Sequence, residues 1–326
     1  MSLRHGLSAW DAAGALRRDA MPAAGDHTHM QMAERISPLI DRCRAWLAPR
    51  KQALKKIALG VALVLFTGGL VLSLRATPDI MDRIRLAPFV IMTAALLPAG
   101  VAMSAADFQI LARLSGVRVK FRQALEITLY SRAANMLPIP GSMAVRMAVL
   151  KASGATFVRS GGLMALFTGI WGGAGFCFSA LWLFGQAPAL YAWIFAAVGA
   201  AILAGCWIAV RWSRLDLHLV SLSAALRVAM IVLEALVLMM AVQAVGVDAH
   251  YHQTAILVVA SFIASVVPAG LGVRETLMAA LAPIAGIDPA TGFLAGAAAR
   301  LAGMASLALL SVIAIAARRE FANAGR

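Results

Sequence analysis

The sequence predicts an all-α polytopic membrane protein with six full transmembrane helices and two oppositely oriented re-entrant helical hairpins, an inverted repeat. Three observations carry this. Hydrophobic residues fill 61% of the 326 positions and charged residues only 13%, about half the charged share of a soluble domain; the mean hydropathy is +0.82. The apolar residues fall in runs of roughly 20, the length that crosses a hydrocarbon core. The net charge of +14 lies mostly in short basic stretches flanking those runs, which is how membrane topology is encoded. A nucleic-acid binder would instead spread such charge over exposed faces with aromatics interleaved.

Residues 1–34 are polar and lack an apolar core, which excludes a signal peptide and suggests a cytoplasmic tail. Residues 35–56 carry Arg35, Arg42, Arg44, Arg50, Lys51, Lys55 and Lys56 between Ile36, Leu39 and Trp46. They read either as an amphipathic helix on anionic headgroups or as the topogenic flank of the first span. The domain plan is therefore a basic segment at 1–56, a transmembrane domain at 57–317 and a cytoplasmic tail at 318–326. The expected spans are 57–74, 86–108, 161–184, 188–210, 219–245 and 292–316.

Two apolar stretches do not fit ordinary spans. Residues 121–153 contain Pro138, Pro140 and Gly141, then Arg146; residues 253–286 contain Pro268, Gly270 and Gly272, then Arg274 and Glu275. Proline cannot continue a helix and glycine permits turns. Each stretch has two arms too short to span around a breaking centre, which reads as a re-entrant hairpin. With both hairpins returning to their own side, the basic segments 35–56, 113–122, 211–214 and 318–319 fall on the cytoplasmic side. The loops 185–188, 246–252 and 286–291, free of Lys and Arg, fall outside. Four extra spans in place of two hairpins would satisfy the same charge pattern. The centres also match in sequence: Pro140-Gly141-Ser142-Met143-Ala144-Val145-Arg146 lies over Pro268-Ala269-Gly270-Leu271-Gly272-Val273-Arg274. Two such elements in opposite orientation mark an inverted-repeat transporter with its site near the midplane.

Ionised residues at membrane depth cost at least about 2.5–3.5 kcal/mol each, so those present are the candidate site. Arg146 and Arg274 lead: each is expected in the first turn of a short helix, where free N–H groups and a guanidinium fork suit a phosphate or carboxylate. The alternative is that Arg274 pairs with Glu275, or that each arginine caps a neighbouring half-helix. Arg132 and Asn135 follow on the incoming arm, with Glu126 lower down. Arg227 and Glu234, seven apart on one face, form a buried pair or line a polar path. Arg300 is placed to partner Glu275 or Glu234, and Asp107 is expected at the inner interface. Gly172, Gly173 and Gly175 read as close helix packing. Cys43, Cys177 and Cys206 have no metal or redox spacing, and His27, His29, His250 and His252 lack nearby ligands, so no metal and no cofactor are expected.

The two hairpin motifs resemble the transmembrane region of the lysylphosphatidylglycerol synthases, the flippase-like domain family. The first motif is Leu137-Pro138-Ile139-Pro140-Gly141 through Arg146 and Leu150; the second is Pro268-Ala269-Gly270-Leu271-Gly272-Val273-Arg274-Glu275. Gly286-Ile287 and Arg300-Leu301 sit where the family pattern has Gly-Val and Arg-Leu. The resemblance covers roughly 55–318. Ser142-Met143-Ala144 departs from the glycine and acidic residue usual in relatives, which bears on the headgroup or ion site of the first hairpin. In the synthases a soluble aminoacyl-transferase domain follows; the chain ends a few residues after its last span, so lipid aminoacylation is not expected.

The resemblance implies a lipid translocase, associated in stand-alone relatives with hopanoid or glycolipid pathways. The expected function is movement of an anionic or zwitterionic polar lipid between leaflets of the bacterial inner membrane, with both termini cytoplasmic. Its expected partners are membrane lipids bearing a phospholipid, hopanoid or glycolipid headgroup; a lipid-biosynthetic enzyme or a second copy is open, and nucleic acid is not expected. No nucleophile–base or metal constellation suggests an enzyme. Two other classes remain in view: a transporter of a small soluble anion, and a scaffold presenting lipid to a partner enzyme.

Overall fold

A computed structural model describes residues 51–136, 141–185, 187–266 and 272–324. Among these the regular structure is all helical. Helix α1 is Lys51–Ala76; a single turn at Ile80–Arg83 leads to α2, Leu86–Leu114, which holds one π segment at Met92–Leu96. The short helices α3 (Phe121–Met136) and α4 (Gly141–Ala152) pack on each other, and α5 (Phe157–Leu183) follows. The order then recurs. Helices α6 (Ala189–Trp212) and α7 (Leu217–Ala244) are long; α8 (Tyr251–Ile256), α9 (Val258–Val266) and α10 (Val273–Leu281) are short; α11 (Pro289–Ala324) is long.

Among the described residues, five helices are long and apolar enough to cross a membrane: α2, α5, α6, α7 and α11 over Pro289–Ala314. That is the composition of a multi-pass membrane protein. The apolar part of α1 that runs over Leu63–Ala76 is shorter than these. Large apolar side chains such as Val64, Leu72, Leu190, Trp193 and Val312 face outward. In water such a surface would drive association; in a bilayer it is the solvated face.

The ends of these helices are written locally. Thr156 caps α5 by accepting from the Arg159 N–H, and Asp216 caps α7 by accepting from His218 and Leu219 N–H. Gly246, at φ 83°, closes α7 where a Cβ would lie 2.4 Å from Arg83 backbone oxygen, so only glycine fits the turn. Beside it the Arg85 N–H donates to the Ala244 carbonyl at 2.9 Å and the Arg85 guanidinium grips the Asp248 carboxylate at 2.5 Å. This clasp joins the start of α2 to the end of α7, so the two helices run antiparallel.

Close helix approach follows small residues, as membrane packing requires. A Cβ at Gly199 of α6 would meet the Gly173 carbonyl oxygen at 2.8 Å, and one at Gly172 would enter the Phe262 ring. Gly175 has open space instead. Gly292 and Gly296, one turn apart on α11, receive α10: a Cβ at Gly296 would lie 3.1 Å from Glu275 Cα. Two apolar clusters result. One gathers Phe108, Leu150, Phe167 and Val210 around α4; the other gathers Leu238, Ile256, Leu257 and Met278 around α8–α10.

Candidate functional site

The middle of α7 carries two charges in an otherwise apolar helix. Arg227 and Glu234 are seven residues apart, about 10 Å along the axis, on one face. They do not pair with each other. Arg227 Nη2 meets Asp107 Oδ2 of α2 at 2.5 Å, and its Nη1 donates to the Phe167 carbonyl of α5 at 2.7 Å. Ser223 Oγ donates to the other carboxylate oxygen of Asp107 at 2.6 Å. Asp107 is only 2% exposed, so it is a buried ion-pair partner rather than an interfacial residue. The antiparallel packing of α2 on α7 carries it there, where Ser223 and Arg227 replace the water it gives up.

Glu234 takes a different partner. Arg274 Nη2 of α10 binds Glu234 Oε1 at 2.6 Å, and Ser261 Oγ of α9 donates to the same oxygen at 2.8 Å. Glu275 is fully buried and accepts from Arg300 of α11 twice, at 2.5 and 3.2 Å. Consecutive residues of α10 therefore reach α7 and α11. The alternative pair Arg274–Glu275 is not formed, and of the two partners open to Arg300 it takes Glu275. The approach of α10 to α11 at Gly296 makes this geometry accessible.

Neither Arg146 nor Arg132 pairs with a carboxylate among the described residues. Arg146 Nη2 donates to Ser104 Oγ at 2.7 Å, its guanidinium lies 5.5 Å from the Phe108 ring centroid, and its Nε is buried without a partner. A Cβ at Gly100 would lie 3.6 Å from Arg132 Nη2, which puts that guanidinium against α2. Arg132 makes no hydrogen bond or ion pair among the described residues, and since Gly100 and Ser104 are one turn apart, Arg132 and Arg146 lie against the same stretch of α2. On α3 the hydroxyls of Thr128 and Ser131 are buried and unpartnered. Buried polar atoms normally have partners, so α3 presents a face with unused donors.

The predicted site residues thus divide. Arg132, Arg146, Arg227, Glu234, Arg274, Glu275 and Arg300 form one polar strip through the middle of the bundle. Asn135 is exposed and outside it, and Glu126 pairs with Arg122 instead. Arg274 is the second residue of α10 and lies in its first turn, after Gly272 at φ 83°. Arg146 is the sixth residue of α4, because the helix already begins at Gly141; the favourable N-terminal field fades within the first turn. Pro138, Pro140, Pro268 and Gly270 lie outside the described residues.

Sequence reasoning missed Ser104, Ser223, Ser261 and the role of Asp107. A signal for Asp107 existed. It precedes Arg146 by 39 residues, as Glu234 precedes Arg274 by 40, so extending the motif match upstream would have found it. The serines carry no such signal, since serine is common in membrane helices. No family model matches the chain, and no curated protein or solved structure is significantly similar to it.

Proposed function

We propose that this chain is a stand-alone lipid translocase of the flippase-like type, moving a polar lipid between leaflets of the bacterial inner membrane. The observation that carries this reading is the strip itself: five arginines and three carboxylates inside an apolar bundle, with Arg132 and Arg146 paired to no acid among the described residues. Uncompensated cations at membrane depth cost at least about 2.5–3.5 kcal/mol each, and an anionic headgroup offsets that cost where it binds.

In this mechanism the helix pairs α3–α4 and α9–α10 are re-entrant and enter from opposite leaflets. Arg146 receives the headgroup phosphate, with guanidinium N–H groups directed at its oxygens. Arg274 serves the opposite leaflet once it leaves Glu234. The acyl chains stay in the bilayer, so only the headgroup is desolvated and carried. An apolar groove between α1, α10 and α11, lined by Val64, Leu65, Leu72, Ala279 and Phe293, suits a chain alongside the strip. Glu234 and Glu275 are the residues at which proton coupling would act; transport indifferent to Glu→Gln at both would remove that coupling from the scheme.

The test is lipid movement by the purified protein in liposomes, followed by dithionite quenching of fluorescent phospholipid. Wild type should quench beyond the protein-free plateau and Arg146→Ala/Arg274→Ala should not. Movement that survives the double change would keep the function and discard this site. Accumulation of a water-soluble anion without lipid movement would favour the soluble-anion transporter.

A further inference from the structure

The charges of the strip do not balance, and the imbalance is localised. Among the described residues, Asp107 is occupied by Arg227 and Ser223, Glu234 by Arg274 and Ser261, and Glu275 by Arg300 on both oxygens. Two of the five arginines are left over, and they are neighbours: Arg132 lies against Gly100 and Arg146 donates to Ser104, one turn further along α2. Segments 137–140 and 267–271 contain no charged side chain, so the hairpin centres leave the count unchanged. Two like charges held together inside an apolar bundle are unfavourable unless one anion lies against both.

The donor chemistry narrows that anion. Both groups are guanidinium forks, each able to donate two parallel N–H bonds to two oxygens of one phosphate. Arg146 has given one nitrogen to Ser104 and keeps a buried, unpartnered Nε; Arg132 has given none to a described residue. A phosphodiester offers two non-bridging oxygens and one charge, which a single fork saturates. A terminal phosphate offers three such oxygens and nearly two charges at neutral pH, and a pyrophosphate offers more. A zwitterionic headgroup would bring its own ammonium to a site already two charges positive.

Resting on the translocase reading of this strip, we infer that Arg132 and Arg146 together hold a doubly charged phosphate group. The lipid carried is one whose headgroup ends in a phosphomonoester or pyrophosphate, in preference to a zwitterionic or singly charged phosphodiester. Ser104 orients Arg146, and the unused hydroxyls of Thr128 and Ser131 supply further donors on α3.

The experiment is binding to the full-length protein in detergent, read by tryptophan fluorescence. The probes are short-chain phosphatidic acid, phosphatidylglycerol, phosphatidylcholine and inorganic pyrophosphate. The same headgroups on fluorescent lipids are then followed in liposomes. Phosphatidic acid should bind at least about tenfold tighter than phosphatidylglycerol and be moved faster, and Arg132→Gln should abolish that preference. Arg132→Lys, which keeps the charge and loses the fork, should retain part of it if the glutamine variant does not fold. Equal binding and equal movement of all three lipids would overturn the inference and leave the translocase standing. Selective phosphatidic acid binding without movement would uphold the inference and remove the translocase. Pyrophosphate binding as tightly as the lipid would uphold the doubly charged site and name a soluble anion as its source. Selectivity unchanged in both Arg132 variants would overturn the site.

Discussion

Arg146 and Arg274 end matching segments, follow matching breaks and lie 39 and 40 residues after an acid in a long helix, yet their states differ. Arg274 is docked on its acid: Glu234 holds it at 2.6 Å. Arg146 is undocked: among the described residues it hydrogen-bonds the Ser104 hydroxyl and lies against the Phe108 ring, because Arg227 of α7 occupies Asp107 at 2.5 Å. Among the described residues no third arginine makes the same intrusion on Glu234. Equal local motifs therefore produce one neutralised cation and one available cation, and the residue that decides between them lies on a different helix.

The largest effect should come from breaking the pair that sets the asymmetry. Asp107 and Arg227 are buried, and removing one partner of such a pair costs about 3–5 kcal/mol. Arg227→Met should lower thermal stability in detergent by that much. It should also release Asp107 to Arg146, so that anion binding falls in any protein that folds. Asp107→Asn/Arg227→Met should recover most of the stability; failure to recover would mean that Arg227 acts through the Phe167 carbonyl instead.

The comparison itself is sharpened by the two hairpin arginines taken singly. Arg274→Ala strands Glu234 in a half-buried site and should cost about 1–3 kcal/mol, between the exposed and buried limits. Arg146→Ala strands no charge and should change stability by less than about 1 kcal/mol while removing headgroup binding. Equal stability losses in the two variants would erase the asymmetry. Gly296→Ala tests the second half alone: its Cβ would crowd Glu275 Cα and Cγ at 3.1 and 3.2 Å. Overpacking of this kind costs about 1–3 kcal/mol, and the loss should shrink in a Glu275→Ala background.

The smallest effect belongs to the surface clasp. The Arg85 guanidinium hydrogen-bonds the exposed Asp248 carboxylate and holds it below the usual carboxylate range. A depressed acid stabilises the fold above its ordinary pKa of about 3.9 and loses that contribution as pH falls through the lower, folded value. The stability difference between wild type and Asp248→Asn should therefore be constant from about pH 5 to 8 and vanish only below about pH 4. It should be small throughout and shrink with added salt, as exposed pairs do.

How much of this was legible in the sequence depends on the physical range of each feature. The boundaries of α2, α5, α6, α7 and α11 lie close to the apolar runs that predict them, because hydropathy and helix length are properties of contiguous residues. The helix starts at Gly141 and Val273 follow the Pro/Gly breaks for the same reason. Even there, Arg146 lies one turn deeper than its counterpart, since Gly141 begins a helix while Gly272 turns at positive φ before one. The pairing of charges was only half legible. Arg300 had two carboxylates open to it; Arg227 and Glu234, correctly placed on one face, reach in different directions to α2 and α10.

The sequence by itself determined the helical class, the apolar spans and the buried charges other than Asp107, because each is decided by composition and spacing over at most a few turns. Only the tertiary structure decided which carboxylate each arginine meets. That choice depends on the antiparallel packing of α2 on α7 and on the closeness of α10 to α11 at Gly296. An ion pair forms over a few ångströms between residues 25 to 120 positions apart, and no local pattern fixes such a distance. With three carboxylates taken by Arg227, Arg274 and Arg300, it is packing that leaves Arg132 and Arg146 without a paired carboxylate among the described residues.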